Sequence, residues 1–134
     1  MEKELETIFA QQKLRITRPR REIFRVLQQS QAPLSASMIN THCTTADRTS
    51  VYRTLELFHR LSIIKSVQFG WRQRYELADP FKIHHHHLSC TQCGRLIDLQ
   101  SPEIENLVNV VASQNNFVVT DHTFEIRGLC QDCR

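Results

Sequence analysis

The chain has 134 residues, 40% of them hydrophobic and only three of them glycine, with 17 basic and 14 acidic side chains for a net charge of +3. That composition suits one globular domain or two small ones and excludes collagen-like, low-complexity and linker-rich chains. The opening Met1-Glu2-Lys3-Glu4-Leu5-Glu6 has no apolar core, and no apolar run approaches the roughly 18–20 residues that span a bilayer, so neither a secretory leader nor a membrane partner is expected. A cytoplasmic protein is the expectation, and in that compartment paired cysteines hold metal more readily than they form disulfides.

Residues 3–13 read as a short helix. Thr17 then precedes Arg18-Pro19-Arg20, with Pro19 near a helix start, where its missing N–H is not needed. Ile23, Phe24, Val26 and Leu27 carry that second helix to about Gln29 on an apolar stripe of helical period. Pro33 interrupts the chain, and Ser35 can cap a third helix over 35–43 with Met38 and Ile39 inward. After the turn Thr44-Thr45-Ala46, either Asp47 or Thr49 caps a fourth helix. There Val51, Leu55, Phe58 and Leu61 share one face and Tyr52, Arg53 and Glu56 point elsewhere. Ile63 to Phe69, a turn at Gly70, and Arg72 to Leu77 change to the period of a β-hairpin. Helix, helix, turn, helix and hairpin describe a winged helix-turn-helix, whose post-turn helix enters the major groove while the basic wing reaches the backbone. Arg48, Thr49, Ser50, Tyr52 and Arg53 are then the candidate DNA-facing residues of the fourth helix, unless core packing claims Tyr52.

The charge distribution agrees with that assignment. Residues 1–80 hold 13 basic against 8 acidic side chains, whereas residues 81–134 hold 4 against 6. Five arginines fall between Arg15 and Arg25, which points the first half at a polyanion, although such a run alone equally suits a solvated helix face.

Ala78-Asp79-Pro80-Phe81-Lys82-Ile83 reads as a hinge. Strand-like pieces at 85–90 and 95–100, a helix from Pro102 to about Gln114, and a strand from Phe117 to Gly128 follow. The fold class expected is α+β, with a winged helix-turn-helix over 1–78, a hinge at 79–84 and a small β-β-α-β dimerisation domain over 85–134. A unit of about 50 residues cannot bury a good core unaided, so a zinc staple and homodimer formation are the expected remedies.

Two Cys-x-x-Cys pairs, Cys90/Cys93 and Cys130/Cys133, supply the staple, for each tight turn offers two thiolates to a tetrahedral Zn²⁺. Separated by 36 residues and bracketing a helix, they fit a structural zinc better than a thiol-disulfide enzyme, which carries one reactive pair at a helix start. Next to them stands His84-His85-His86-His87. In an extended backbone His84 and His86 take one side and His85 and His87 the other, so a single run can serve two metal sites. Glu105 and His122 are candidates to complete the first and Glu76 the second. A solvated histidine cluster is the plainer alternative. An enzyme is not expected: a zinc hydrolase would need an open metal position beside a general base, and only Glu76 could play that part. A zinc-stapled interaction module would leave the basic half without a role.

Arg15-Ile16-Thr17-Arg18-Pro19-Arg20, Thr49-Ser50-Val51-Tyr52-Arg53-Thr54-Leu55 and His84-His85-His86-His87-Leu88-Ser89-Cys90-Thr91-Gln92-Cys93-Gly94 together resemble the signatures of the ferric uptake regulator family of bacterial metal-dependent repressors. The resemblance covers essentially the whole chain. It implies a homodimer that binds double-stranded operator DNA when loaded with metal and represses metal-uptake genes, with no small-molecule substrate. It implies that Tyr52 and Arg53 contact DNA and that Arg20 contacts its backbone, with Arg15 and Arg18 of the same basic element as further candidates, and it assigns His84, His86, Glu105 and His122 to a dimerisation-domain metal site. It places Glu76, His85 and His87 at a hinge sensory site, where many members supply a further ligand at the position of Pro33. The all-histidine run tilts the regulatory ion toward Zn²⁺, while Glu76 and Glu105 keep Fe²⁺ and Mn²⁺ open. Peroxide- and manganese-responsive regulation are the alternatives within the family.

Overall fold

Helices begin where the sequence supplies their caps. A computed structural model describes residues 1–134, in which α1 spans Glu2–Gln11, α2 Arg18–Gln29, α3 Ala36–His42 and α4 Arg48–Arg60. Pro19 sits in the first turn of α2, among the N–H groups that have no helical acceptor anyway. The Ser35 side chain accepts from the Met38 amide, and Asp47, not Thr49, caps α4 by accepting from Ser50. β1 (Ile64–Phe69) and β2 (Arg72–Leu77) pair antiparallel through the two-residue loop Gly70-Trp71. Leu34, just before α3, bonds to Tyr75 of β2 and ties the hairpin to the helices.

The chain divides into two compact units, Met1–Ile83 and His84–Arg134. The first contains a conventional core. Leu5 and Phe9 of α1, Ile23 and Phe24 of α2, Ile39 of α3, and Val51, Leu55 and Phe58 of α4 are all at most 2% exposed. Phe9 meets Phe58 edge to face at 6.1 Å. Side chains of this size contribute about 1.5–3 kcal/mol each on full burial. Met38 departs from the expected pattern. It is 40% exposed, because Ala36 and Ile39 already occupy the buried side of a seven-residue helix.

The second unit is built differently. β3 (His86–Cys90) lies between β4 (Leu96–Leu99), paired antiparallel, and β5 (Glu125–Gly128), paired parallel, with α5 (Pro102–Gln114) connecting β4 to β5. Its fully buried residues are His85, His86, His87 and Cys90. No residue of α5 is buried, and Leu107, Val110 and Val111 are each about half exposed. The expected strand over 117–128 forms only at Glu125–Gly128. Phe117, Val118 and Val119 have strand-favouring side chains but no neighbouring strand to bond, and they remain exposed.

Candidate metal centres and nucleic-acid face

Both cysteine pairs sit on tight turns that fasten to each other. Gly94, at φ +77°, returns its amide to the Cys90 carbonyl at 3.1 Å, and the Cys133 amide closes the second turn on Cys130 at 3.0 Å. The Thr91 amide crosses to Gly128 at 2.8 Å, and the Cys130 amide donates to Cys90 Sγ at 3.4 Å. The four Sγ atoms lie within 4.8 Å of one another. Zn–S bonds of about 2.3 Å in a tetrahedron give an S···S edge of about 3.8 Å, and Cys93 and Cys130 stand 3.7 Å apart. Amides from Cys93 and Cys130 favour the Cys90 thiolate and lower its pKa to about 6. The crowded Cys130 thiol, with Cys93 and Cys90, pushes Cys133 up to about 12. A dication resolves that conflict by accepting four sulfurs that cannot all ionise without one. The residues fit Zn²⁺.

The histidine run alternates as strand geometry requires, although β3 itself begins at His86. His84 and His86 have ring centroids 4.8 Å apart on one side, and His85 and His87 are 4.9 Å apart on the other. On the first side Glu105 of α5 gathers the imidazoles. Its carboxylate oxygens stand 2.9 Å from His86 Nε2, 3.4 Å from His84 Nε2 and 3.2 Å from His122 Nε2. His84 and His122 bring their Nε2 atoms within 3.1 Å. The hydrogen bond from His86, then that from His122, holds the Glu105 carboxyl below its ordinary range. His122 is not on a strand as expected. It lies in the irregular segment before β5, and its position follows from the path of the chain back from α5. Three nitrogens and a carboxylate, all within 4.8 Å of one another, make a donor set for Zn²⁺, Fe²⁺ or Mn²⁺.

On the second side the structure adds a residue that the sequence reading passed over. Asp98 of β4 places Oδ2 3.9 Å from His85 Nε2 and Oδ1 3.7 Å from His87 Nε2. The β3–β4 register sets Asp98 directly opposite His87. Both imidazoles are buried, and the carboxylate is 37% exposed. Glu76, in the first unit, is buried near the end of β2 and ion-paired to Lys82 at 2.8 Å and Lys65 at 3.3 Å. Pro33 is fully buried, and Cys43, half-buried with its thiol pKa raised by burial and by Glu22, behaves as a small apolar side chain.

The candidate DNA-facing residues occupy the outer surface of the first unit. Arg48, Thr49, Tyr52 and Arg53 are exposed on α4, Ser50 is half-buried behind the cap, and Arg48 lies over the Tyr52 ring at 5.9 Å. Tyr52, 49% exposed, is not part of the core. Arg15 and Arg18 are exposed around the start of α2. Arg20 donates to the Arg15 carbonyl at 2.7 Å and stacks on Phe9, which fixes the loop between α1 and α2. Across from α4, a groove is lined by Tyr52, Arg53, Glu56, His59, Gln73 and Tyr75, so the hairpin borders the exposed helix face.

Comparison with known proteins finds relatives of the chain by sequence and by fold. A ferric uptake regulation protein of Campylobacter jejuni is 38% identical over 85 residues, covering 63% of this chain. The matched segment spans about half, 53%, of that relative. A peroxide-responsive repressor of Staphylococcus saprophyticus is 31% identical over the whole chain and 99% of its own length. The structure of the Helicobacter pylori ferric uptake regulator, described as having three functional metal-binding sites, superposes with a TM-score of 0.82 at 28% identity, covering 98% of this chain and 89% of that one. No helix is long and apolar enough to cross a membrane. The sequence model of the ferric uptake regulator family matches residues 11–127, and the chain belongs to that family.

Proposed function

We propose that this chain is a metal-dependent, DNA-binding transcriptional repressor that acts as a homodimer and controls metal-uptake genes. The observation that carries the proposal is the histidine run. One four-residue segment deals two imidazoles to each of two donor sets, beside four sulfurs spaced for a third.

The sets divide the work by chemistry. Cys90, Cys93, Cys130 and Cys133 would hold a permanent structural Zn²⁺, since sulfur donors bind it tightly and leave no open position. His84, His86, Glu105 and His122 would hold a second ion. His85 and His87, joined by Asp98 and by Glu76 from the first unit, would form the regulatory site. A bound dication supplies charge that lets buried imidazole and carboxylate groups face one another. Lys65 and Lys82 pair with the Glu76 carboxylate and balance its charge.

The first unit then acts as a winged helix. α4 presents Arg48, Thr49, Ser50, Tyr52 and Arg53 to the major groove, while Arg15, Arg18 and Arg20 grip the backbone. The exposed apolar face of α5 and the wholly exposed strand β5 support the homodimer, because a second copy would cover both. Metal shifts the population toward the DNA-binding arrangement, and by linkage DNA tightens metal binding by the same factor.

Zn²⁺ is the preferred regulatory ion for the histidine-rich set. Asp98 favours a second reading, Fe²⁺ or Mn²⁺ with peroxide response, because it adds a hard oxygen donor to the two histidines.

The test is a titration of zinc-stapled protein with Zn²⁺, Fe²⁺ and Mn²⁺, read by anisotropy of a labelled AT-rich promoter duplex. Binding should rise with one ion and disappear in the His85→Ala/His87→Ala double variant, which remains dimeric. A double variant that still responds to metal would remove these histidines from sensing.

A further inference from the structure

The hairpin tip carries a residue that neither the metal chemistry nor the α4 face uses. Trp71, the chain's single tryptophan, is 96% exposed at the apex of the β1–β2 loop. It is the most exposed of the large apolar side chains. A single exposed apolar side chain is ordinary on a protein surface; an indole set among arginines at a loop tip also offers a flat face and an N–H donor to a polyanion.

The turn beneath it is tight. Gly70 takes φ +60°, and the register closes directly from Phe69 to Arg72, the two-residue turn that needs glycine at its first central position. The Gln68 amide donates to the Gly70 carbonyl at 3.2 Å and braces the loop. Arg74 stacks on Phe69 at 4.5 Å just below it. Arg72 is exposed beside the indole, and the hairpin's one carboxylate, Glu76, is buried and paired with lysines. The tip is therefore apolar, flat and cationic, with no acidic group to repel a phosphate backbone.

We infer that Trp71 enters the minor groove of duplex DNA next to the groove read by α4, with Arg72 and Arg74 on the flanking phosphates. This rests on the DNA-binding function proposed above and adds a specificity to it. Indole has one N–H donor and no acceptor. A minor groove about 6 Å wide offers only acceptors at A·T pairs, whereas G·C pairs add an amino donor that obstructs the indole N–H. Trp71 accordingly selects A·T steps at the edge of the site, and its apolar edge works as a wedge against the stacked bases.

Being the only tryptophan, it reports on itself. Metal-loaded dimer is mixed with labelled poly(dA-dT), with labelled poly(dG-dC), or with phosphatidylglycerol vesicles. Duplex anisotropy gives binding, and tryptophan emission with acrylamide quenching gives the accessibility of Trp71. The inference expects Trp71 to be shielded on poly(dA-dT) and less so on poly(dG-dC). Trp71→Ala should weaken poly(dA-dT) binding by about tenfold and poly(dG-dC) binding far less. Trp71→Phe should keep the affinity of a wedge but lose the A·T preference. Duplex binding with Trp71 still fully quenchable, or an undiminished Trp71→Ala, overturns the inference and leaves the repressor reading intact. Shielding by vesicles alone overturns it in favour of a lipid surface. Failure of the metal-loaded protein to bind either duplex removes both readings.

Discussion

Glu22 shows how much one side chain can organise. From α2 it accepts the amides of Thr44 at 2.7 Å and Thr45 at 2.8 Å, together with both hydroxyls, and so clamps the turn that leads into α4. Those donors, the Thr45 hydroxyl first, lower its pKa from 4.5 to about 2. A depressed folded pKa means that the stabilisation is complete above the unfolded value and is lost as pH falls from about 4.5 toward about 2. Glu22→Ala should destabilise the first unit by about 2 kcal/mol near neutral pH in urea unfolding, since four donors lose a charged acceptor. The difference from wild type should shrink on acidification through that window; a gap that stays constant would put the effect elsewhere. Neither Glu22 nor Asp98 was legible in the sequence. Each acts through a partner that only the register or the helix packing brings close, as with Asp98 opposite His87. The histidines were legible because alternation is local, needing nothing beyond an extended backbone.

Elements of the first unit follow their sequence signals closely, for caps, proline and apolar period all act within a few residues. The second unit obeys them less. Its irregular stretch before β5 follows from the lack of a neighbouring strand for 117–119, which no propensity encodes. With only three histidines and a cysteine buried, the second unit has no apolar core of its own, and the proposed zinc staple would supply the missing stabilisation. Chelation strong enough to strip a four-cysteine zinc should therefore unfold the second unit while the α1–α4 core persists. Circular dichroism should show loss of the sheet with most helix retained, and the binding energy lost is on the order of 10 kcal/mol. A second unit that melts unchanged after verified zinc removal would refute the staple.

For the whole molecule, the exposed apolar face of α5 and of 117–119 is the feature a lone chain would find hard to keep soluble. Val111→Asp, at a position 49% exposed in the single chain, should disturb its own fold little and shift the proposed dimer toward monomer at micromolar concentration in sedimentation equilibrium. An unshifted dimer would place the interface elsewhere. The change of period and of charge in the sequence falls near residue 80, close to where the two units divide at Ile83. The solvent-facing α5 was not legible, because an apolar stripe looks the same whether its own chain or another one covers it.

Cys90 ends the strand that the histidines begin, and its sulfur is fixed among three others whose turns follow β4's partner strand and β5. A β-strand slipped by one residue turns every side chain to the opposite face. Here that error would exchange the two imidazole pairs, sending His84 and His86 toward Asp98 and His85 and His87 toward Glu105. The sulfur cluster thus works as an indexing pin. Deleting one residue between His87 and Cys90 would keep every donor and still scramble the address of each.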